Sequence, residues 1–172
     1  MTTEHDDPLP PYAFVPGGPW PHPTRSPLGH SHSHSNRAEA IGDDDWQSSL
    51  PYRRGTVLFN AGYYWEAHEA WESLWHAQGR RGATADLLKA LIKLAAAGVK
   101  VREGQPHGVR THARRAAVLL ETVRAEGKPT RLGIDLDEWI GHARQIADEP
   151  PTDPAPPGQR VSRVFSHTLT PR

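Results

Sequence analysis

The chain of 172 residues carries 20 basic and 20 acidic side chains, no cysteine, and 36% apolar residues. This length and apolar content fit one domain with one modest core. The zero formal net charge gives no overall attraction to nucleic acid or to an anionic membrane surface. Because cysteine is absent, disulfides and thiolate metal sites are excluded, and any metal must bind histidine and carboxylate side chains.

No apolar run reaches the roughly 20 residues that a membrane-spanning helix needs. Residues 1–11 are acidic and lack the hydrophobic stretch of a signal peptide. We therefore expect a cytoplasmic protein without a membrane partner.

Composition divides the chain into three parts. Residues 1–42 are rich in Pro, Gly, Ser and His, so we expect a mostly irregular extension that is disordered or loosely packed. Residues 150–172 open with a run of prolines, which predicts a stiff, solvated linker with a short appendage. The folded domain is predicted over residues 43–149.

Helix start and stop residues predict the first two helices of this domain. Aspartates at 43–45 can cap a first turn, Pro51 suits the start of a helix through Phe59, and Gly62 suits its end. A second helix is predicted over 63–78, before a glycine-rich break at 79–82.

Three further helices follow. Thr84 is predicted to cap a third helix that ends near Gly104, and Pro106 opens a fourth that stops by Gly127. Asp135 with Glu138 three residues later has the capping-box spacing of a fifth helix that ends near residue 148. No convincing strand is visible. Short connections between amphipathic helices favour antiparallel neighbours, so the fold class is all-α: a single compact bundle of about five helices.

The second helix combines a core face with a polar edge. At 100° per residue, Glu66 and Ser73 fall opposite a broad face with the predicted core residues Tyr64, Ala67, Ala70, Trp71, Leu74 and Trp75. Between the two faces runs a seam, in which His68, Glu72 and His76 follow at four-residue spacing, flanked by Trp65 and Glu69. This seam is the candidate site.

Two explanations of the seam remain open. In a structural network, Glu72 accepts from an indole, a tyrosine, a loop amide or a neighbouring cation, and His68 joins the cluster. In a metal or small-ligand site, His68 and Glu72 turn toward one divalent ion, since i, i+4 spacing permits it. One helix supplies too few ligands, and the other histidines of the predicted domain have no recognisable ligand spacing: His107, His112 and His142.

No established catalytic motif accompanies the seam. His68-Glu69-x-x-Glu72 lacks the second histidine of the zinc-protease pattern, and no nucleophile elbow, phosphate-binding loop or dinucleotide fingerprint occurs. An enzyme would be of the hydrolase type, metal-dependent or with His68 as general base oriented by Glu72. We lean towards a non-enzymatic protein. The sequence names no cofactor, and a divalent metal is the one candidate.

A longer pattern surrounds the seam: Leu-Phe-Asn-x-Gly-x-Tyr-x-Glu-x-His-Glu-x-x-Glu-x-x-Trp, which starts at Leu58 and ends at Trp75. It resembles the core motif of the DUF309 family of small all-helical proteins without an assigned activity, over residues 53–120. The resemblance implies a helical bundle of unknown role. Where such proteins favour glutamine in the third helix, this chain has Lys89 and Lys93. Residues 62–67 also resemble the turn of a tetratricopeptide hairpin, which indicates a helical hairpin at the start of the bundle.

The first functional hypothesis is a binding or structural module with a polar pocket walled by tryptophan, whose glutamates receive a cation or a basic ligand. Asn60 is interpreted first as a residue that bonds local backbone at the helix end. The predicted pocket residues are Asn60, Tyr64, Trp65, His68, Glu69, Glu72 and Trp75.

Residues 79–131 hold twelve cations against four carboxylates, a local net charge of plus eight. Lys89, Lys93 and Lys100 share one helix face, where they can pair with the glutamates of the second helix or meet phosphate groups. Aromatic residues are absent from this stretch, which favours intramolecular pairing over nucleic acid. RNA binding remains an alternative, and a homodimer remains open. The predicted basic surface consists of Lys89, Lys93, Arg110 and Arg114.

The N-terminal extension contains Tyr, Phe, Val and Trp between residues 11 and 25, which is unusual for an inert tail. We hypothesise that it lies over the bundle and brings His22, Arg25 or His30 near the seam. His30, His32 and His34 alternate with serine, which is typical of a solvated tract and also allows weak metal binding.

Overall fold

The computed structural model describes residues 7–34 and 37–172, and the predicted all-α fold is confirmed. Each helix packs against the next one in the chain, so α3 lies between α2 and α4. A single 3-10 turn at Trp46–Ser48 precedes the bundle. The described residues form five α-helices: α1 (Leu50–Ala61), α2 (Tyr64–Ala77), α3 (Ala83–Arg102), α4 (Pro106–Arg124) and α5 (Leu136–Asp148).

The predicted helix ends rest on local chemistry that the structure confirms. Pro51 lies in the first turn of α1, where no helical partner exists for the backbone N–H that proline lacks. Gly62 ends α1 with φ 93°, a left-handed conformation that glycine adopts without a Cβ penalty. At the start of α5, the Asp135 carboxylate accepts a hydrogen bond from the Glu138 amide at 3.0 Å.

Three local predictions were wrong. The aspartates at 43–45 do not cap the first helix, because Ser49 is the N-cap of α1 and its side chain accepts from the Tyr52 amide. Thr84 does not cap α3, because Gly82 precedes the helix and the Thr84 hydroxyl donates to the Asp43 carboxylate at 2.6 Å. A small antiparallel hairpin, β1 (Thr130–Arg131) and β2 (Ile134–Asp135), joins α4 to α5. Strands of two residues are too short to show the alternating pattern by which a strand is recognised in a sequence.

The core surrounds α3. A Cβ added at Gly98 would lie 2.5 Å from the Tyr64 ring, so the absence of a side chain lets α2 and α3 approach closely. From residue 89 to the end of α3, four residues at helical spacing are not buried, and we call them the lysine stripe: Lys89, Lys93, Ala96 and Lys100.

The short appendage that follows the predicted linker packs on the bundle. Phe165 and Leu169 are buried in the same core as the helices, at 6% and 1% exposure. The buried Arg102 guanidinium binds Asp153 at 2.8 Å and the Arg160 carbonyl at 2.9 Å. Apolar anchors and a satisfied buried cation therefore join the tail to the bundle.

The described part of the extension, residues 7–34 and 37–42, has no helix or strand and packs against the bundle. Tyr12, Ala13 and Val15 are buried, and the Trp20 indole donates to the Gly158 carbonyl at 2.5 Å. Residues 1–6 and 35–36, which complete the predicted extension, lie outside the described residues, and the division into three parts stays a prediction. None of the described helices combines the length and the apolar character needed to cross a bilayer.

Candidate functional site

The side chains of α2 divide between core and surface largely as predicted. Five of the six predicted core residues are buried, and the sixth, Trp75, is half-buried. His68, Glu69 and Glu72 lie along the edge of α2, with side chains 26%, 32% and 35% exposed. The seam therefore exists as a partly shielded surface feature.

His68 lies between two carboxylates. Its Nδ1 atom is 3.7 Å from Glu69 Oε1 and 3.9 Å from Glu72 Oε2, beyond hydrogen-bonding distance in both cases. One ligand atom from each of the three residues lies within 4.8 Å of the others. Nδ1 is shielded from solvent and has no hydrogen-bond partner among the described residues. The seam thus presents an imidazole nitrogen and two carboxylate oxygens around one small space.

Trp65 shields His68 and is itself supported by the N-terminal extension. The two rings stack with centroids 6.1 Å apart and an interplanar angle of 20°. Phe14 and His22 pack edge-on against the indole, with centroids at 4.9 and 5.3 Å. The extension therefore lies over α2, as hypothesised. His22 contacts Trp65 beside the seam, while Arg25 is exposed.

Glu66 corrects the helical-wheel interpretation. It was placed on the face opposite the core, yet its side chain is only 6% exposed. Its Oε1 atom accepts from the Phe14 amide at 2.9 Å and contacts His30 Nε2 at 3.1 Å. The N-terminal extension provides the cover, which the periodicity of α2 alone cannot reveal. His30 therefore meets Glu66 and not the seam.

Asn60 and Tyr64, both predicted pocket residues, bind the C-terminal tail. Asn60 donates to the Leu169 carbonyl and accepts from the Leu169 amide, so the expectation that it bonds local backbone was wrong. The Tyr64 hydroxyl accepts from the Val164 amide at 2.9 Å, and burial raises the pKa of Tyr64. The structure thus separates these two residues in role from the His68 cluster.

The expected ion pairs between the third-helix lysines and the α2 glutamates do not form. Lys89 Nζ lies 3.8 Å from the centroid of the Trp75 ring, a cation–π contact, and Lys100 pairs with Glu103 at 2.7 Å. Among the described residues, neither Lys89 nor Lys93 has a carboxylate within 4.0 Å. Burial lowers the pKa of Lys89, the charge of Lys93 lowers it further, and Glu72 opposes both.

The predicted basic surface is not one continuous patch of free cations. Arg110 donates to the carbonyls of Ala147 and Asp148 at 3.1 and 3.0 Å, and so binds the end of α5. Arg114 is exposed on α4. Lys89 and Lys93 instead belong to the lysine stripe.

His112 is the histidine of another helix that lies near the seam. Burial lowers its pKa, and the positive charges of Lys93 and Lys100 act in the same direction, followed by a smaller electrostatic effect of His68. Of the two other histidines considered from the sequence, His107 is exposed and His142 stacks against His167. No spacing in the sequence links His112 to His68. The packing of α4 across α3 brings the two side chains close enough for an electrostatic interaction.

An open depression of about 420 Å³ lies beside the carboxylates of the seam. Its lining is mixed in charge and polarity, and Glu69 and Glu72 belong both to it and to the His68 cluster. A group bound between His68 and the two glutamates would be reachable from this side. The lining residues are Arg37, Ala38, Glu69, Glu72, Ser73, His76 and Ala77.

The comparison with known families confirms the resemblance seen in the sequence. The family model of DUF309, a domain of unknown function, matches residues 52–112. The matched segment contains most of α1, all of α2 and α3, and the first part of α4, and therefore the complete seam. No curated protein matches the chain.

Proposed function

We propose that this DUF309-type chain is a metal-binding module, in which α2 holds a divalent ion between His68, Glu69 and Glu72. The supporting observation is the position of His68 Nδ1, 3.7 and 3.9 Å from the two carboxylate oxygens. Ligand atoms bound tetrahedrally to zinc at about 2.0–2.1 Å lie about 3.3 Å apart. Small side-chain rotations would therefore turn the present arrangement into a coordination geometry.

The donor set suits a first-row divalent ion. A neutral imidazole and two carboxylates combine one nitrogen with oxygen ligands, a set that Zn²⁺ accepts. The two glutamate charges would be balanced by the ion. Three protein ligands leave at least one position for water or a small ligand, and the adjoining depression gives access to it.

A structural network is the competing explanation of the same geometry. A protonated His68 between Glu69 and Glu72 would neutralise part of their charge without any ligand. The two explanations predict different results when a divalent ion is added, since only the metal site would bind it at α2. The acid–base enzyme and the RNA-binding protein both stay predictions. For the enzyme, the 3.9 Å separation of His68 and Glu72 is not a hydrogen bond that would orient His68 as a base.

The test is zinc titration of untagged, chelator-treated full-length protein by calorimetry, with thermal unfolding as a second measurement. We expect one saturable site, an increased melting temperature, and loss of both in His68→Ala. The histidines that alternate with serine in the N-terminal extension can also bind metal. The matched control is therefore the double variant His32→Ala, His34→Ala, which should retain the metal site on α2. Absence of saturable binding, or binding lost only in the control, would show that α2 holds no metal.

A further inference from the structure

The N-terminal extension is attached to α2 both before and after the seam. At the start of α2, Phe14 packs edge-on against Trp65, and its amide donates to the Glu66 carboxylate at 2.9 Å. At the end of α2, the Gln78 side chain donates to the Ile41 carbonyl at 2.9 Å. Along the helix, the seam therefore lies between two attachments of one extension.

The attachment at the start of α2 is buried and specific. The side chains of His30 and Glu66 are 8% and 6% exposed, and the His30 Nε2 and Glu66 Oε1 atoms lie 3.1 Å apart. The Tyr12 hydroxyl accepts from the His30 amide at 3.3 Å and donates to the Pro21 carbonyl at 2.9 Å. Hydrogen bonds, and not only apolar contact, therefore fix this part of the extension on α2.

Trp65 connects this attachment to His68. The indole contacts the rings of Phe14 and His22 on the extension, with centroids at 4.9 and 5.3 Å. It also stacks on the His68 imidazole, with centroids 6.1 Å apart. The indole Nε1 atom is shielded from solvent and has no hydrogen-bond partner among the described residues. Packing therefore holds the indole in place, and the extension supplies two of its contacts.

The orientation of His68 decides whether its Nδ1 atom can bind an ion. Nδ1 lies 3.7 Å from Glu69 Oε1 and 3.9 Å from Glu72 Oε2. Within the described part of the chain, this nitrogen has no hydrogen bond that would fix the ring. The orientation therefore depends on packing, to which Trp65 contributes a stacked ring. A ligand that is oriented before the ion arrives loses less conformational freedom on binding, which increases the affinity.

We infer that the N-terminal extension positions His68 through Trp65, so that zinc binding at the seam and docking of the extension strengthen each other. Trp65 and Phe14 are positioning residues, because they act on the ion only through His68. The inference rests on the proposed metal site and adds its regulation, since displacement of the extension lowers the affinity for zinc. Such coupling is reciprocal, and its usual size is about 5- to 150-fold in affinity.

The first test compares zinc affinities by calorimetry of chelator-treated full-length protein, in the His32→Ala, His34→Ala background. Phe14→Ala removes a ring that supports Trp65, and we expect zinc binding to weaken about tenfold. The matched control is Leu28→Ala, which removes an apolar side chain of the same extension that is 83% exposed. Its affinity should stay within about twofold of the parent. Equal effects of the two substitutions would overturn the inference.

The second test measures the reverse effect without changing the positioning residues, by hydrogen exchange of backbone amides with and without zinc. The Phe14 amide reports docking because it donates to Glu66, and we expect saturating zinc to slow its exchange about tenfold. The matched control is the Ala155 amide, which donates to the Asp153 carboxylate at 2.9 Å in the C-terminal tail. Zinc should leave its exchange unchanged, and equal slowing of both amides would overturn the inference.

Failure of the coupling and failure of the metal site give different results. If the parent protein does not bind zinc, the metal site is wrong and the coupling falls with it. If zinc binds through His68 but the Phe14 amide exchanges at the same rate, only the coupling is wrong. His68→Ala should abolish the protection of the Phe14 amide by zinc, which separates binding at the seam from binding elsewhere.

Discussion

Asn60 and Leu169 form a reciprocal pair of hydrogen bonds across 109 positions of the chain. The Asn60 amide donates to the Leu169 carbonyl at 2.7 Å, and the Leu169 amide donates back to the Asn60 carbonyl oxygen at 2.8 Å. Leu169 is buried, and Phe165 stacks on Phe59 with centroids 5.7 Å apart. The C-terminal tail is therefore part of the folded core.

Asn60→Ala should destabilise the protein by about 2 kcal/mol, because both hydrogen bonds are lost and the Leu169 backbone is left without its partner. Urea unfolding measures this change in the free energy of unfolding. Ser166→Ala, at an exposed tail position, serves as control and should stay within about 0.5 kcal/mol of the parent. Equal effects of the two substitutions would argue that the tail does not depend on Asn60.

Glu66→Ala should release the N-terminal extension. The substitution removes the acceptor of the Phe14 amide and leaves His30 buried without its carboxylate. Leaving a buried hydrogen-bonding group without its partner costs about 1–3 kcal/mol, which favours local opening. We expect faster tryptic cleavage after Arg25 with unchanged helix content by circular dichroism.

His34→Ala controls for the loss of any histidine from the extension, since His34 is exposed and lies outside the pair. A cleavage rate after Arg25 that is the same in Glu66→Ala and in the parent would mean that other contacts hold the extension.

Two glycine-to-alanine substitutions in helices should change the stability of the protein in opposite directions. At Gly98 the new methyl group would lie 2.5 Å from the Tyr64 ring, so we expect destabilisation of about 1–3 kcal/mol from overpacking. At Gly141 in α5 no atom lies within 4 Å, so the higher helix propensity of alanine should stabilise by about 0.5–1 kcal/mol. Thermal unfolding of both variants checks the order, and a stabilised Gly98→Ala would contradict the close approach of α2 and α3.

The stacked pair His142 and His167 should make stability depend on pH. The ring centroids are 3.4 Å apart, and burial followed by the charge of His142 lowers the pKa of His167, while Glu138 opposes. Below the ordinary histidine value of about 6.5, the unfolded chain therefore binds more protons than the folded one. The contribution of His167 to the free energy of unfolding is complete above the ordinary histidine pKa of about 6.5. It is lost as the pH falls through the lower pKa that His167 has in the folded protein.

His167→Gln should accordingly reduce the loss of unfolding free energy between about pH 7 and pH 5.5. Burial also lowers the pKa of His112, so part of the loss should remain in the variant. Urea unfolding at the two pH values measures the difference, with Ser166→Ala as control. A variant that loses as much stability as the parent would mean that the histidine stack does not contribute.

The sequence alone determined the helices and the residues that α2 offers at its edge. Pro51, Gly62 and Asp135 act on neighbouring backbone, and the apolar period of 3.6 residues needs only local geometry. The spacing of His68 and Glu72 placed both on one side of α2 before any packing was known. Recognition of the DUF309 pattern rested on the same local string.

The tertiary structure decided what covers those helices. The N-terminal extension buries Glu66, and Asn60 forms hydrogen bonds with Leu169. His112 comes close enough to His68 for an electrostatic interaction because α4 packs across α3. These contacts join residues far apart in the chain, and local periodicity carries no information about them. Proline-rich composition correctly predicted the absence of helix and strand in the described residues of both termini. Burial depends on whether a partner surface exists, and only the assembled bundle supplies that surface.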